Sequence, residues 1–425
     1  MKHILLLGSG GREHALAKKI SESDWCRELY IAPGNPGTAS CGKNVPISVN
    51  DFEKIATFCK DNKIDMVVVG PEDPLVNGIV DFFEQESLAH IHMVGPARMG
   101  ALLEGSKSYA KEFMKRYQIP TASYREFLAE EWEQATEYVK SHTLPVVIKA
   151  DGLAAGKGVV IANTHQEAEE AIQYMMRDKK FGEASSKVVI EQFLKGIECS
   201  CFALTDGASY LMLPSAKDYK RIGEGDTGLN TGGMGAISPV PFMDDIFYQK
   251  VIDKIVKPTI GGLKKEQINY KGFVFFGIIK VDDEPYVIEY NCRMGDPETE
   301  VVVPRIKSDI VPLLFSLKEQ QLYTSSIEHN TKHAATVMLV SGGYPESFAK
   351  GYQIKGLDVV DGTTVYHAGT SLDTENRIIT NGGRVLALTT LADSLVDALE
   401  QSLASAARIE FEGKYYRKDI GWEFR

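Results

Sequence analysis

A chain of 425 residues exceeds what one hydrophobic core organises, so two to four domains are expected. Its 44% apolar and 25% charged content reads as a soluble globular protein, and its net charge of −11 excludes general binding to nucleic acid or to an anionic membrane, both of which demand a basic surface. Six cysteines without a C-x-x-C pair, a starting apolar run too short for a signal peptide and no run of bilayer length predict a reduced, cytoplasmic protein.

Residues 3–7 read as a buried strand, followed by Gly8-Ser-Gly-Gly-Arg-Glu-His14 and a helix over 15–20. Strand, glycine turn and helix open a doubly wound α/β domain, with backbone N–H groups and a helix start available to an anion. The dinucleotide fingerprint needs a third glycine where Glu13 stands, and the next strand, 29–32, ends in Pro33-Gly34 rather than a ribose-binding acid. A smaller phosphate is therefore favoured over NAD. Strands at 65–69 and 91–94 repeat the pattern, so Gly10, Gly11, Asn35 and Glu72 fall on the ligand-binding edge; loops chosen only for tight turning are the alternative. His14, inside the helix start, reads as structural.

A long helix is expected over 106–117, then a strand over 145–149, Ala150-Asp-Gly-Leu-Ala-Ala-Gly-Lys-Gly158 and a strand over 159–162. A Walker A loop would need glycine at Asp151, Ser or Thr at Gly158 and a following helix. The segment instead predicts a hairpin whose loop closes over phosphates, with Lys149 and Lys157 as point charges; a solvated turn is the alternative. A strand over 187–191 leads to Glu198, in a linker suited to an adenine edge and a ribose. Cys199 and Cys201 alternate along a strand as buried small hydrophobes. A short strand over 210–214 leads through 216–221 into a polar glycine-rich loop, 226–235; Lys220 and Arg221 before it and the amides near 231–234 within it suit an anionic substrate.

The apolar strand 273–280 should pair, through the turn at 282–284, with 286–290. In that second strand Glu289, Asn291 and Arg293 share one face. A carboxylate and an amide oxygen suit a hard cation such as Mg²⁺, and the arginine sets a forked donor beside it; a merely charged strand face is the alternative. Beyond Pro304 a helix is expected to about 321, a linker over 325–332, strands at 334–340, 357–360, 364–367 and 385–389, and an amphipathic helix over 392–409. This last portion, including Asn381-Gly-Gly-Arg384, presents no chemical grouping and reads as a small α+β cover over the cleft.

Taken in order, Gly8-Ser-Gly-Gly-Arg-Glu-His14, Pro33-Gly-Asn-Pro-Gly37, Gly70-Pro-Glu72, Lys149-Ala-Asp-Gly-Leu-Ala-Ala-Gly-Lys-Gly158, Asn230-Thr-Gly-Gly-Met-Gly235, Asn291-Cys-Arg-Met-Gly-Asp-Pro-Glu298 and Tyr415-Tyr-Arg-Lys-Asp-Ile-Gly421 resemble the phosphoribosylamine–glycine ligase (glycinamide ribonucleotide synthetase) family of the ATP-grasp superfamily. The resemblance implies a multidomain α/β and α+β chain. Residues 1–102 would form an N-terminal parallel-sheet substrate domain, 103–325 an ATP-grasp domain with a small mobile lid over about 121–193, and 326–425 a C-terminal α+β domain. It implies ATP and Mg²⁺ or Mn²⁺ as cofactors, glycine and 5-phosphoribosylamine as substrates, a glycyl-phosphate route, and transient contact with neighbouring purine-pathway enzymes. Under it, Lys107, Lys149, Gly156, Lys157, Glu191, Leu194 and Glu198 bind ATP, and Glu289 and Asn291 hold the metal. Arg293 and Lys220 are catalytic. Substrate contacts fall to Gly10, Gly11, Arg12, Asn35 and Glu72, to Asp218, Arg221, Thr231, Gly232, Gly233 and Met234, and to Asp296 and Pro297.

Two residues depart from the family pattern, Lys217 for glutamine and Leu229 for proline, and 273–280 carries no acid for a second metal ion. The rival readings are another ATP-grasp ligase, such as a carboxylase of a purine intermediate, and a nucleotide-sensing module.

Overall fold

The computed structural model describes residues 1–85, 87–152, 158–178 and 186–424. One long strand, Tyr270–Val281, joins two halves of a nine-stranded sheet. At its start it pairs antiparallel with His92–Pro96, the edge of a parallel array running His92–Pro96, Met66–Val69, Lys2–Gly8, Cys26–Pro33 and Lys43–Asn44. Further along it lies between Ile197–Thr205 and Glu284–Asn291. Ile4–Leu7 are fully buried, as continuous apolar strands are when both faces of a parallel sheet are covered. The loops at the C-terminal ends of this parallel array therefore face the strand that carries Glu289 and Asn291.

A separate four-stranded sheet, ordered Tyr124–Leu128, Lys187–Gln192, Val146–Ala150 and Val159–Ala162, packs its own core against helices Trp132–Lys140 and His165–Ile172. A third sheet, Lys217–Asp218, Gly235–Ser238, His333–Val340, Arg384–Ala392 and Thr364–His367, backs onto helix Leu395–Arg408. Its first two strands come from the middle of the chain, so the glycine-rich loop between them is fastened to the C-terminal portion. The 273–280 and 286–290 strands pair through their turn as expected, with Gly277 opposite Glu289 and Phe275 opposite Asn291. Cys199 and Cys201 are buried, and all six cysteines are free.

The 106–117 helix forms as expected, as Lys107–Arg116, capped by the Ser106 hydroxyl, which accepts from Tyr109 N–H (3.1 Å); a further helix, Arg98–Gly105, precedes it. Three expectations need correcting. After Pro304 only Ile310–Ser316 is α-helical, because Asp309 starts a new cap on Val311 N–H (3.0 Å). Residues 357–360 form no strand; they follow Gly356, at φ +82°, and run as bend and turn. The 226–235 loop is partly ordered as a hairpin, Arg221–Gly223 with Thr227–Asn230, which leaves no hydrophobic period because its second strand is exposed on both faces. No helix among the described residues is long and apolar enough to cross a membrane.

Candidate active site

The glycine turn after the first strand is filled by its own chain. Gly8 adopts φ +126°, and a Cβ there would collide with the Glu13 side chain. Glu13 Oε2 accepts from Gly10 N–H (2.7 Å) and Oε1 from Arg12 Nε (2.6 Å). The first amide of the glycine turn is thus taken by the chain's own carboxylate. Asn35 is spent internally: its amide donates to the Ser9 and His367 carbonyls (both 2.8 Å), and its oxygen accepts from Gly37 (2.8 Å) and Thr38 (3.0 Å). It shapes the loop rather than offering a free group. His14 is structural, as expected; its Nδ1 accepts from His367 N–H (2.8 Å), and burial, with His367 beside it, pushes its pKa down to about 3.

Arg293 is the hub. It leaves the end of strand Glu284–Asn291 and reaches two acids from other elements: Nε donates to Glu72 Oε2 (3.1 Å) and Nη2 pairs with Glu104 Oε1 (2.7 Å). Arg12 lies alongside, sharing the Met294 carbonyl with Arg293 (3.2 Å each) and 3.8 Å from Glu72. Burial would raise the Glu72 carboxyl, but Arg293 and then Arg12 override it and hold the pKa down at about 2. Burial pushes Glu104 the other way, against the pull of Arg293. Glu104 Oε2 also accepts from Cys292 N–H (2.8 Å) and Sγ (3.1 Å). The Asn291 amide oxygen stands beside two acceptors, Glu104 Oε1 and the Tyr290 carbonyl; with the amide turned over, its nitrogen donates to both (3.2 and 2.9 Å).

Across from this strand stand the lysines. Lys149, buried, grips the Glu191 carboxylate (3.0 Å) and the Ile288 carbonyl (3.3 Å). Lys111 holds the same carboxylate from the other side (3.1 Å) and donates to Thr121 Oγ1 (2.7 Å). Two lysines on one acid leave a net positive charge, and burial lowers Lys111 to about 8 against the opposing pull of Glu191. Lys107 Nζ donates to the Gly152 carbonyl (2.9 Å), at the foot of the loop that Asp151 opens. Asp151 itself accepts from Ser108 N–H (3.0 Å) and Ser106 Oγ (3.1 Å), docking the hairpin on the helix start. Gly156 and Lys157 lie outside the described residues. Leu194, half-buried, sits in the connection between the four-stranded sheet and Ile197–Thr205.

Glu289 and Asn291 end this strand on one face. A Cβ on Gly277 would lie 3.0 Å from Glu289 Cγ, so glycine there leaves the acid its space. No group of three or more His, Cys, Asp or Glu among the described residues could hold a metal ion. One carboxylate and one amide oxygen fit Mg²⁺ or Mn²⁺ all the same, because such an ion completes its shell with phosphate oxygens and water.

The glycine-rich loop reaches this site from the third sheet. Lys220 Nζ pairs with Glu198 Oε2 (2.9 Å), and Lys220, more than burial, holds the Glu198 carboxyl low. Burial raises Asp218, which faces Glu198 and Glu289. Thr231 Oγ1 donates to the Lys220 carbonyl (2.8 Å) and accepts from Gly233 N–H (2.9 Å); Gly232 N–H donates to Tyr344 OH (2.9 Å). Gly233 packs against Pro297, and Arg221 donates to the Gly228 carbonyl (2.7 Å). Met234 points into the C-terminal core and its N–H is taken by the Tyr219 carbonyl (2.7 Å), so it offers no free amide to a substrate.

The C-terminal portion is more than a cover. Arg384 donates to the Gly232 (2.5 Å) and Asp296 (2.7 Å) carbonyls and pairs with Asp296 Oδ1 (2.9 Å), tying the glycine loop to the Gly-Asp-Pro turn. Sequence reasoning gave Asn381-Gly-Gly-Arg384 no chemical grouping, and an arginine after two glycines was the signal it passed over. Arg417, with no exposed side-chain surface, pairs with Asp226 (2.6 Å) and Asp419 (2.7 Å) and donates to the Arg221 carbonyl (3.2 Å). Replacing Arg417 by alanine is expected to cost about 1–3 kcal/mol of stability, because the Arg221 carbonyl and Asp419 lose their donor while the exposed Asp226 keeps water, and to expose 221–230 to proteolysis. Limited digestion beside thermal unfolding checks it, and unchanged cleavage would contradict the clasp. Lys217 pairs with Glu423 (3.3 Å) and lies 4.6 Å from the Tyr219 ring centroid, so this departure belongs to the same clasp. Leu229 is exposed, and nothing in the structure explains it.

Behind the turn, buried Glu298 accepts from Ser200 Oγ (3.2 Å), and burial, followed by Asp218, pushes its pKa up to about 7. A raised carboxyl favours folding at low pH. Its contribution is full below the unfolded value near 4.5 and is lost as pH rises through about 7. Glu298→Gln is therefore expected to flatten the fall in melting temperature between about pH 4.5 and 7. A parallel slope in wild type and variant would contradict it.

A glycine loop, a buried lysine on a small separate sheet with two more on the helix beside it, and a strand of the large sheet that carries a carboxylate and an amide and ends at an arginine together define an ATP-grasp enzyme. Family models agree along the chain: residues 2–104 match the N domain of phosphoribosylglycinamide synthetase, 105–299 its ATP-grasp domain and 334–423 its C domain. The chain belongs to the phosphoribosylglycinamide synthetase family. It is 43% identical to a phosphoribosylamine–glycine ligase of Caldanaerobacter subterraneus, covering 98% of this chain and 99% of that one. A solved phosphoribosylamine–glycine ligase from Thermotoga maritima superposes with a TM-score of 0.84 at 34% identity, covering 98% and 99%. The biotin carboxylase domain of a Hydrogenobacter thermophilus 2-oxoglutarate carboxylase, solved with MgADP and bicarbonate, shares the fold at a TM-score of 0.72 and 17% identity, covering 99% and 92%.

Proposed function

We propose that this chain joins glycine to 5-phosphoribosylamine at the expense of ATP, giving glycinamide ribonucleotide, ADP and phosphate in de novo purine synthesis. The observation that carries the reading is Arg293, held between Glu72 and Glu104 where the Glu289–Asn291 strand ends, facing buried lysines. A carboxylate oxygen of glycine attacks the γ-phosphorus and ADP leaves. The amine nitrogen of phosphoribosylamine then attacks the acyl carbon, phosphate leaves, and the nitrogen gives up a proton. Such chemistry is mostly positioning and charge neutralisation.

Lys107 and Lys149 take the phosphates, and Gly156 and Lys157 bind ATP with them. The Glu191 carbonyl and Leu194 N–H meet adenine, and Glu198 the ribose. Glu289 and Asn291 hold Mg²⁺ or Mn²⁺, which when bound offsets phosphate charge. Arg293 steadies the glycine carboxylate and its acyl phosphate, with Lys220 facing it. Gly10, Gly11, Arg12, Glu72, Asp218, Arg221, Thr231, Gly232, Gly233, Asp296 and Pro297 surround the two substrates. Lys111 supports this scheme: it keeps Glu191 neutralised when Lys149 turns to a phosphate. The enzyme works in the cytoplasm, with transient contacts to its pathway neighbours.

The test is phosphate release from ATP. Release should require glycine and phosphoribosylamine together. Release with bicarbonate in place of glycine would favour the carboxylase reading, and nucleotide binding without release would favour a sensor.

A further inference from the structure

Glu104 stands in none of the motifs that point to this function, yet it touches three consecutive residues of the site. It is the next-to-last residue of helix Arg98–Gly105 and is 9% exposed. Oε2 accepts from the backbone N–H and the thiol of Cys292 (2.8 and 3.1 Å). Oε1 takes Arg293 Nη2 (2.7 Å) and, once the Asn291 amide is turned so that it no longer sets oxygen against oxygen, that amide's nitrogen (3.2 Å). Every one of these partners is a donor.

An ionised carboxylate only accepts. Asn291 must therefore turn its nitrogen towards Glu104 and the Tyr290 carbonyl, which leaves its oxygen for the other side. Only that oxygen can serve a hard cation, since an amide nitrogen is no ligand for one. The same carboxylate fixes one arm of Arg293 while Glu72 fixes the other. A single buried acid thus sets the amide at the metal position and the guanidinium at the acyl-phosphate position.

We infer that Glu104 is a positioning residue: it selects which atom of Asn291 faces the metal and sets the angle of Arg293. The inference rests on the ligase reading above. Glutamine in place of Glu104 keeps the volume and can still accept from Cys292 N–H, but its NH₂ group then meets two donors. Asn291 escapes that clash by turning over, which presents nitrogen to the metal. Aspartate in place of Asn291 fails for the opposite reason, because it sets two carboxylates against each other. Combined, the two substitutions are complementary: the introduced amide donates to the introduced carboxylate, and an oxygen again faces outward.

The experiment is calorimetric binding of MgADP and of metal-free ADP to the wild type, Glu104→Gln, Asn291→Asp and the double variant, with thermal unfolding of each without ligand. E104Q is expected to weaken MgADP binding about tenfold or more, the usual loss for a residue that orients a metal ligand, and to leave metal-free ADP within about twofold. The double variant should bind MgADP more tightly than either single one. Unchanged MgADP affinity in E104Q, or losses that simply multiply in the double variant, would overturn the inference, because a merely structural role gives no recovery. If E104Q does not fold, Glu104→Asp, which withdraws the charge by one methylene, is expected to weaken MgADP in the same way, and unchanged affinity there overturns it equally. Turnover of the wild type with glycine and phosphoribosylamine tests the ligase reading separately, since the binding cycle needs neither substrate.

Discussion

Arg293→Ala will lower kcat/KM for glycine by about 10²–10³-fold, the loss found when one donor to a developing oxyanion is removed. Affinity for MgADP should survive, because the lysines and the metal-binding strand are untouched. Stability will fall as well. Glu72 keeps only the more distant Arg12, 3.8 Å away, and Glu104 keeps only neutral partners, so the buried Glu104 loses its counter-charge. Breaking a buried pair in this way costs about 3–5 kcal/mol. Arg293→Lys separates the two effects: one ammonium restores the charge but cannot fork to both acids, so the fold should recover more than the activity. Activity within tenfold of wild type in R293A would remove Arg293 from the chemistry.

Glu289→Ala is the second large effect, and its signature is the reverse. The side chain is half-buried, and its charged neighbours Lys107 and Lys220 each have another partner, the Gly152 carbonyl and Glu198. Folding without nucleotide should therefore change by no more than about 1 kcal/mol. Ligation should fall by at least about 10²-fold, more than the loss of a group that merely orients a metal ligand usually brings, and MgADP affinity should fall with it. Near-normal turnover would refute the metal assignment. A large drop in melting temperature would mean that Glu289 is structural.

How far the sequence led follows from what each residue needed. Glu289 and Asn291 were legible together because strand period places alternate side chains on one face, with Arg293 just past the strand's end. The hairpin from Lys149 was legible from the glycines between two β-branched runs. Glu104, Lys111, Arg384 and Arg417 were not, because each acts through a partner remote in the chain: Glu104 on Arg293, Lys111 on Glu191, Arg384 on Asp296 and Arg417 on Asp226. Asn35 and Met234 have internal partners that the sequence did not show. Their neighbourhood in sequence was right, but their polar groups are consumed by His367 and Tyr219. The strand expected over 357–360 failed where apolar residues alternate too briefly to outweigh the glycines on either side, Gly356 and Gly362.

One measurement bears on the central claim most directly: a crystal structure of the protein with a non-hydrolysable ATP analogue, Mn²⁺ and glycine, the ion located by its anomalous signal. The account predicts the triphosphate between Lys107 and Lys149 on one side and the Glu284–Asn291 strand on the other, with Mn²⁺ on Glu289 and Asn291 and the glycine carboxylate beside Arg293. A triphosphate seated away from that strand, or an ion held by neither residue, would contradict it.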